Sequence, residues 1–404
     1  MKYIVILGDG MADTPVPELG NRTPLEAAEK PNMDRLAQHG TVGLCKTIPD
    51  GMPLGSDTAN LSVMGYDPRV YYSGRSPLEA VSMGIPLEDD DVTFRCNLVT
   101  LSEEADYART TMVDYSSDEI TTAESTELIH ALDAAFRQEN LRLYPGISYR
   151  HCLVLKHAKT GTVCTPPHDI SLKPVEGHLP SGEYGSLLYD LMLRSREILR
   201  DHPVNLARIA RGLHPANSCW FWGEGTKPRL DLFQKKFGVR GGVISAVDLI
   251  KGIGICAGLT SVDVPGATGN VNTNFAGKAD AALALLQDGC DFVYVHMEAP
   301  DECGHRGEVE NKVAAIERID RDVVGRMLQG LRGEAFSMLI MPDHPTPLSV
   351  RTHTGDPVPF VLYRSGEEGT APASRYTEAC AKETGLFVPE GFRMMNRLFQ
   401  SDEK

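Results

Sequence analysis

Three short apolar runs end abruptly in acidic or histidine chemistry: Tyr3 to Leu7 meets Gly8-Asp9, Phe292 to Val295 meets His296, and Phe336 to Met341 meets Pro342-Asp343-His344. Runs this short and this continuous read as strands buried on both faces. Helical patterns lie between them. In Lys312 to Leu331, Val313, Ile316, Val323, Met327 and Leu331 recur at helical spacing before Gly333, and a second helix runs from Asn32, as N-cap, through Met33, Leu36 and Ala37 to Gly40. Strands alternating with helices predict an α/β fold with a largely parallel sheet. In such a sheet ligands gather beyond the carboxyl ends of the strands, so Asp9, Asp301, Asp343 and His344 are expected to converge there.

Residues 86–239 break the alternation. They open on Glu88-Asp89-Asp90-Asp91 and continue with a strand-like Val92 to Leu101, a helix from Asp118 to near Glu139, and strands at Cys152 to Leu155 and Gly161 to Thr165. After Pro166-Pro167 and Lys173-Pro174 comes a helix from Gly185 to Asp201. This stretch predicts a second domain inserted into a discontinuous core of residues 1–85 and 240–404. No internal repeat or low-complexity segment appears.

Charge limits what the strand ends can recruit. The 404 residues, 42% hydrophobic and 24% charged, suit two or three globular domains but carry a formal net charge of -15. Such a surface repels nucleic acid and anionic membranes, and an acidic substrate needs a local basic pocket. Nine cysteines, odd in number and without a CxxC pair, read as reduced thiols of a cytoplasmic protein, and the apolar run at the N-terminus is too short for a signal peptide. Asn60-Leu61-Ser62 matches a glycosylation sequon by chance.

The acid and histidine clusters carry the chemistry. Asp301 precedes His305 by four residues, a spacing that lets both reach one metal; Asp343-His344 adds two adjacent donors, and His353 stands in the turn-rich Arg351 to Pro357. One histidine alone reads as a core or loop residue; three with three strand-end aspartates read as metal ligands. Oxygen and imidazole donors without thiolate suit manganese, zinc, cobalt or magnesium, and two such ions form a clamp for phosphoryl transfer. His296 and Glu298 fit an outer role as well as a direct one. Ser56 follows the Pro/Gly-rich Gly51 to Gly55 at a helix start, where amides and the helix dipole favour a phosphate on its hydroxyl; beside a dication it is a nucleophile, without one an N-cap.

Gly8-Asp9-Gly10-Met11, Gly55-Ser56-Asp57-Thr58-Ala59-Asn60, Asp301 to His305, Pro342-Asp343-His344 and His353-Thr354-Gly355 resemble, in order, the metal-site motifs of the alkaline phosphatase superfamily. Tyr72 to Ala80, Phe94-Arg95-Cys96-Asn97, Pro265 to Gly269 and Gly277-Lys278-Ala279 further resemble the shorter, archaeal-type branch of cofactor-independent phosphoglycerate mutases. The resemblance implies an alkaline-phosphatase-like core with a mostly parallel central sheet and an inserted α+β cap domain that closes over the substrate. It implies two divalent ions, manganese first, and no 2,3-bisphosphoglycerate. Asp9, Ser56, Asp343 and His344 would hold one ion, and Asp301, His305 and His353 the other, with Lys278 near the transferred phosphoryl group. Arg75, Arg95, Arg150 and Arg208 are candidates for gripping phosphate and carboxylate. His168, a side chain whose type has an unperturbed pKa of ~6.5, is a candidate proton relay or else a turn-stabilising residue. The implied substrate is a small phosphorylated acid. Homoserine as acceptor, a plain phosphohydrolase, and a binding protein that has lost turnover are the alternatives; the last fits poorly with an intact Ser56 and ligand set. The sequence sets no oligomeric state.

Overall fold

In the computed structural model, which describes residues 1–367 and 369–400, the apolar runs form the middle of an eight-stranded sheet. Lys2–Gly8 lies between Phe292–Met297 and Phe336–Met341 and runs parallel to both, while Gly241–Ile244 and Thr260–Val262 extend the parallel block beyond Phe292–Met297. Every residue of Phe292–Met297 and Phe336–Met341 is buried, which is why both read as continuous apolar runs. On the other side one strand interrupts the expected, largely parallel order. Val358–Arg364 runs antiparallel to both Phe336–Met341 and Thr41–Cys45, and Phe387–Val388 then pairs parallel at the edge. No helix intervenes between Met341 and Val358, and a strand that returns without a crossover must run antiparallel. The fold is therefore α/β with a mixed sheet.

The helices differ from their predicted bounds for local reasons. Pro31–His39 begins at a proline, with Lys30 and not Asn32 at the cap position; Asp320, reaching in from elsewhere in the chain, accepts from the amides of Asn32 (3.2 Å) and Met33 (2.7 Å). The single helix expected over Lys312 to Leu331 is interrupted. Val309–Arg318 passes into a π-helical turn, Ile319–Val324, which carries Asp320, before Gly325–Gly330 completes the run.

Glu378 fastens the segment that follows Asp9. Its carboxylate accepts from the Asp13 amide (3.1 Å) and the Thr23 hydroxyl (2.7 Å), and burial pushes its carboxyl up from 4.5 to about 7. A carboxyl raised by folding binds its proton more tightly in the folded chain, so stability falls as pH rises from 4.5 to about 7 and levels off above that. Between pH 5 and pH 8 the wild type is expected to lose about 1 kcal/mol more stability than Glu378→Gln, a figure discounted for partial exposure. Urea unfolding at the two pH values measures the difference.

The chain divides into two units, one made of Met1–Tyr72 and the chain from Leu230 onward, the other Ser73–Arg229 instead of the expected 86–239. The first boundary moves back because the helix Ser76–Ser82 packs within the second unit, with Ala80 buried among Ile85, Leu87, Cys152 and Val154. The far boundary moves back because Phe233 stacks on Phe292, ring centroids 4.6 Å apart, in the first unit. Within the second unit, Val92–Leu101 pairs antiparallel with Arg150–Leu155, Ser218–Thr226 and Met112–Asp114, and Leu141–Tyr144 lies beyond Arg150–Leu155. Thr122–Phe136 and Gly185–Arg200 cover this sheet, burying Leu128, Leu132, Leu188 and Leu191 in one core with Phe94 and Leu98. Among the described residues no helix is long and apolar enough to cross a membrane.

Candidate active site

The strand Lys2–Gly8 delivers Asp9 at its carboxyl end, and Gly10 makes the next turn possible. Gly10 has φ +61°, and a Cβ there would lie 2.7 Å from the Asp301 backbone and 2.6 Å from Thr346 Oγ1. Its amide donates to Asp343 Oδ1 (3.2 Å), tying the ends of two adjacent strands together. Asp9 is 2% exposed; His296 Nε2 lies 2.9 Å from its Oδ2, while its buried Oδ1 has no hydrogen-bond partner among the described residues. Burial, and then the charges of Asp343, Asp301 and Glu298, hold the Asp9 carboxyl well above the usual range. Burial also pushes His296 down to about 3, so its ring is neutral, sharing one proton with Asp9 at Nε2 or with Ser245 Oγ (3.1 Å) at Nδ1.

Asp343 and His344 are both fully buried. Asp343 Oδ1 accepts from the His344 amide (2.9 Å), and Oδ2 accepts from Asn60 Nδ2 (2.8 Å), whose Oδ1 in turn accepts from the Tyr294 hydroxyl (2.6 Å). His344 Nε2 stands 3.1 Å from Ser56 Oγ, 3.4 Å from Asp343 Oδ2 and 3.5 Å from Asp9 Oδ1. Ser56 opens the eight-residue helix Ser56–Val63, as its position in the sequence predicts, but Gly55 and not Ser56 is the cap. The hydroxyl is thereby left to face the histidine.

A second group lies beside this one. Asp301 and His305 share the helix Ala299–Arg306 one turn apart, with His305 Nε2 3.3 Å from Asp301 Oδ2 and His353 Nε2 3.5 Å from Asp301 Oδ1. The Nδ1 atoms of His305 and His353 meet the carbonyls of Arg351 (3.0 Å) and Leu54 (3.1 Å) and must therefore carry their protons. The two Nε2 atoms then face each other 3.0 Å apart, close enough to share either a proton or a bound cation. Asp301 lifts His305 to about 9, and it raises His353 against the opposing effect of burial. His344 also belongs here, its ring 4.1 Å from that of His353, so the two groups adjoin through His344.

These residues fit divalent cations. The buried Asp9 Oδ1 without a hydrogen-bond partner among the described residues, the close pair of Nε2 atoms and a donor set of carboxylate, imidazole and hydroxyl match a hard or borderline dication. Lys278 joins from the first turn of Phe275–Gln287; it is 1% exposed, its ammonium donates to the His296 carbonyl (3.1 Å), and burial pushes its pKa down to about 8 against the opposing charge of Glu298.

The remaining candidates lie on the second unit. Glu79 bridges Arg75 Nε (3.0 Å) and Arg95 Nε (2.9 Å), and the Arg95 guanidinium rests 4.1 Å from the Trp222 ring centroid. Burial lowers Arg95 to about 10 in spite of Glu79. His168 packs against Trp222 (5.2 Å) and Tyr115 (6.1 Å) and is held below its usual pKa by burial, opposed by Asp169 and reinforced by Arg95 and Arg75. Arg150 is exposed beside Tyr149, 5.8 Å from its ring. Arg208 does not join the others: it is 1% exposed, and its guanidinium donates to Glu124 and to the carbonyls of Ser117 and His214. Its role is to hold its own unit together. Sequence reasoning missed Thr346 and Tyr294 and saw Asn60 only as a chance sequon within a motif; polar residues beside an expected ligand were the available signal.

A family model described as 2,3-bisphosphoglycerate-independent phosphoglycerate mutase matches residues 37–205. A protein of that description from Methanothrix thermoacetophila is 51% identical over 393 residues, 97% of each chain. One from Geobacter sulfurreducens, described as a probable 2,3-bisphosphoglycerate-independent phosphoglycerate mutase, is 50% identical over 98% of this chain and 99% of its own. Among solved structures, the PH0037 protein from Pyrococcus horikoshii aligns with TM-score 0.84 at 31% identity, covering 100% of this chain and 99% of its own. The cofactor-independent phosphoglycerate mutase from Thermoplasma acidophilum aligns with TM-score 0.68 at 27% identity over 99% of both chains.

Proposed function

Because the chain belongs to the family of 2,3-bisphosphoglycerate-independent phosphoglycerate mutases, we propose that it interconverts 3-phosphoglycerate and 2-phosphoglycerate through a phosphoserine at Ser56. The observation that carries this reading is the Ser56 hydroxyl at a helix start, 3.1 Å from His344 Nε2 and beside an array of buried carboxylates and imidazoles. Divalent ions held by Asp9, Asp343, His344 and Ser56, and by Asp301, His305 and His353, would supply the charge that lowers the hydroxyl pKa and neutralises phosphoryl oxygens; manganese is the first choice, with zinc, cobalt and magnesium as substitutes.

In the forward direction Ser56 Oγ gives up its proton and attacks phosphorus, and the bond to the C3 oxygen of the glycerate breaks. That oxygen takes up a proton. Glycerate then turns, its 2-hydroxyl loses a proton and attacks the phosphoserine, and the Ser56 oxygen leaves and takes a proton back. Amides at the start of Ser56–Val63 and the Lys278 ammonium stabilise the phosphoryl oxygens, and His168, protonated as the C3 oxygen leaves and neutral as the 2-hydroxyl attacks, relays a proton between the two glycerate oxygens. Exclusion of water while the phosphoserine exists separates a mutase from a phosphatase. We read the second unit as the substrate-binding cap, with Arg75 and Arg95, set in register by Glu79, holding the carboxylate and Arg150 in support.

The test is conversion of 3-phosphoglycerate by EDTA-stripped protein given back manganese, without 2,3-bisphosphoglycerate. Appearance of 2-phosphoglycerate supports the reading. Free phosphate instead would move it to a hydrolase, and no reaction with manganese, zinc or magnesium would move it to another acceptor, homoserine first. Arg95→Met is expected to raise KM for 3-phosphoglycerate about tenfold to a hundredfold, the range for losing a hydrogen-bonded charge pair, with kcat changed less. Steady-state kinetics reads the split.

A further inference from the structure

We propose that Thr346 is a positioning residue that couples the two ligand sets, and that the buried Asp13–Lys312 ion pair holds it in place; this rests on the metal reading above. The Thr346 hydroxyl donates to Asp301 Oδ1 and lies 3.3 Å from His344 Nδ1. A hydroxyl has one proton to give, and an ionised carboxylate can only accept. With that proton directed to Asp301, the hydroxyl oxygen accepts from His344 Nδ1–H. His344 is then fixed in the tautomer whose Nε2 bears a lone pair, and that atom faces Ser56 Oγ, Asp9 and Asp343. One hydroxyl thus sets the rotamer of a residue in one set and the tautomer of a residue in the other.

The backbone of Thr346 is clamped from outside the site. Lys312 Nζ donates to the Thr346 carbonyl (2.8 Å) and to Asp13 Oδ2 (2.8 Å), both ion-pair side chains are fully buried, and the Asp13 carboxylate accepts from the Leu348 amide (3.2 Å). Gly304 leaves the room this needs: a Cβ there would lie 2.4 Å from the Thr346 carbonyl oxygen. A buried ion pair adds little net stability over a well-packed apolar pair, so its distinctive effect here is placement of the Thr346 segment.

The test is a titration of EDTA-stripped full-length protein with Mn2+, read by calorimetry and by the paramagnetic resonance of free Mn2+. Thr346→Val, nearly isosteric, is expected to weaken Mn2+ binding about tenfold to a hundredfold and to lower kcat at saturating metal, whereas Thr346→Ser, which restores the hydroxyl, stays close to wild type. Asp13→Asn combined with Lys312→Met, if folded by its thermal transition, is expected to weaken the same binding. Wild-type Mn2+ affinity in Thr346→Val overturns the proposal, and a folded double variant with wild-type affinity overturns the clamp. If the double variant does not fold, Thr346→Val alone decides. A wild-type protein that binds no Mn2+ overturns the metal reading itself, and with it this proposal.

Discussion

Ser56→Ala is expected to abolish phosphoryl transfer, with 2-phosphoglycerate formation falling by on the order of 10^4-fold or more, as loss of a covalent nucleophile does. The fold should survive the change. Ser56 is the first residue of Ser56–Val63 with Gly55 as its cap, and among the described residues its side chain hydrogen-bonds only to His344 Nε2. Alanine is at least as good a helix former, so the local backbone gives up nothing. Two measurements separate a lost nucleophile from a damaged site. The thermal transition and the Mn2+ affinity should stay near those of the wild type, while acid-quenched protein exposed to phosphorus-labelled 3-phosphoglycerate should carry label only when Ser56 is present. Label retained by the alanine variant would move the nucleophile elsewhere, and Asp57, next on the same helix, would be examined first.

Much of this site is legible in the sequence because parallel sheets enforce a simple rule. Asp9 and Asp343-His344 stand where apolar runs stop, and runs that stop at the same end of adjacent parallel strands deliver their next residues to one place. Ser56 and the Asp301–His305 spacing are legible from helix starts for the same local reason. What stays hidden depends on register between distant segments. Asn60 meets Asp343 across 283 residues, and Lys312 meets Asp13 across 299, contacts no local spacing encodes. Arg208 shows the opposite error: an arginine that will bind substrate and one whose guanidinium is fully engaged with Glu124, Ser117 and His214 look alike in sequence. The π-helical turn at Ile319–Val324 is equally silent, since its flanking residues keep helical spacing while Asp320 serves the start of another helix. The antiparallel Val358–Arg364 is hidden for a topological reason, because strand direction follows from the connection and not from apolar content.

Removing the divalent ions should cost the protein stability as well as activity, and the stability loss should be confined to one unit. Asp9, Asp301 and Asp343 are buried together in the first unit, where Asp9 is already held above its usual pKa by burial and by its neighbours. A cation there relieves that repulsion and supplies the charge between the facing Nε2 atoms of His305 and His353. Because such a site is assembled only in the folded chain, ion binding adds directly to folding free energy, about 2.7 kcal/mol for one site at a hundred times its dissociation constant. With two sites filled, the first unit's thermal transition should rise by roughly ten degrees or more, and EDTA should reverse the rise. All the proposed ligands lie in Met1–Tyr72 and the chain from Leu230 onward, so a transition assigned to Ser73–Arg229 should not move. Scanning calorimetry with and without Mn2+, with intrinsic fluorescence of Trp220 and Trp222 reporting on the second unit alone, distinguishes the cases. Stabilisation of the first transition together with restored turnover is the expected result. Restored turnover without stabilisation would mean that the ion enters with substrate and is not held by these seven residues.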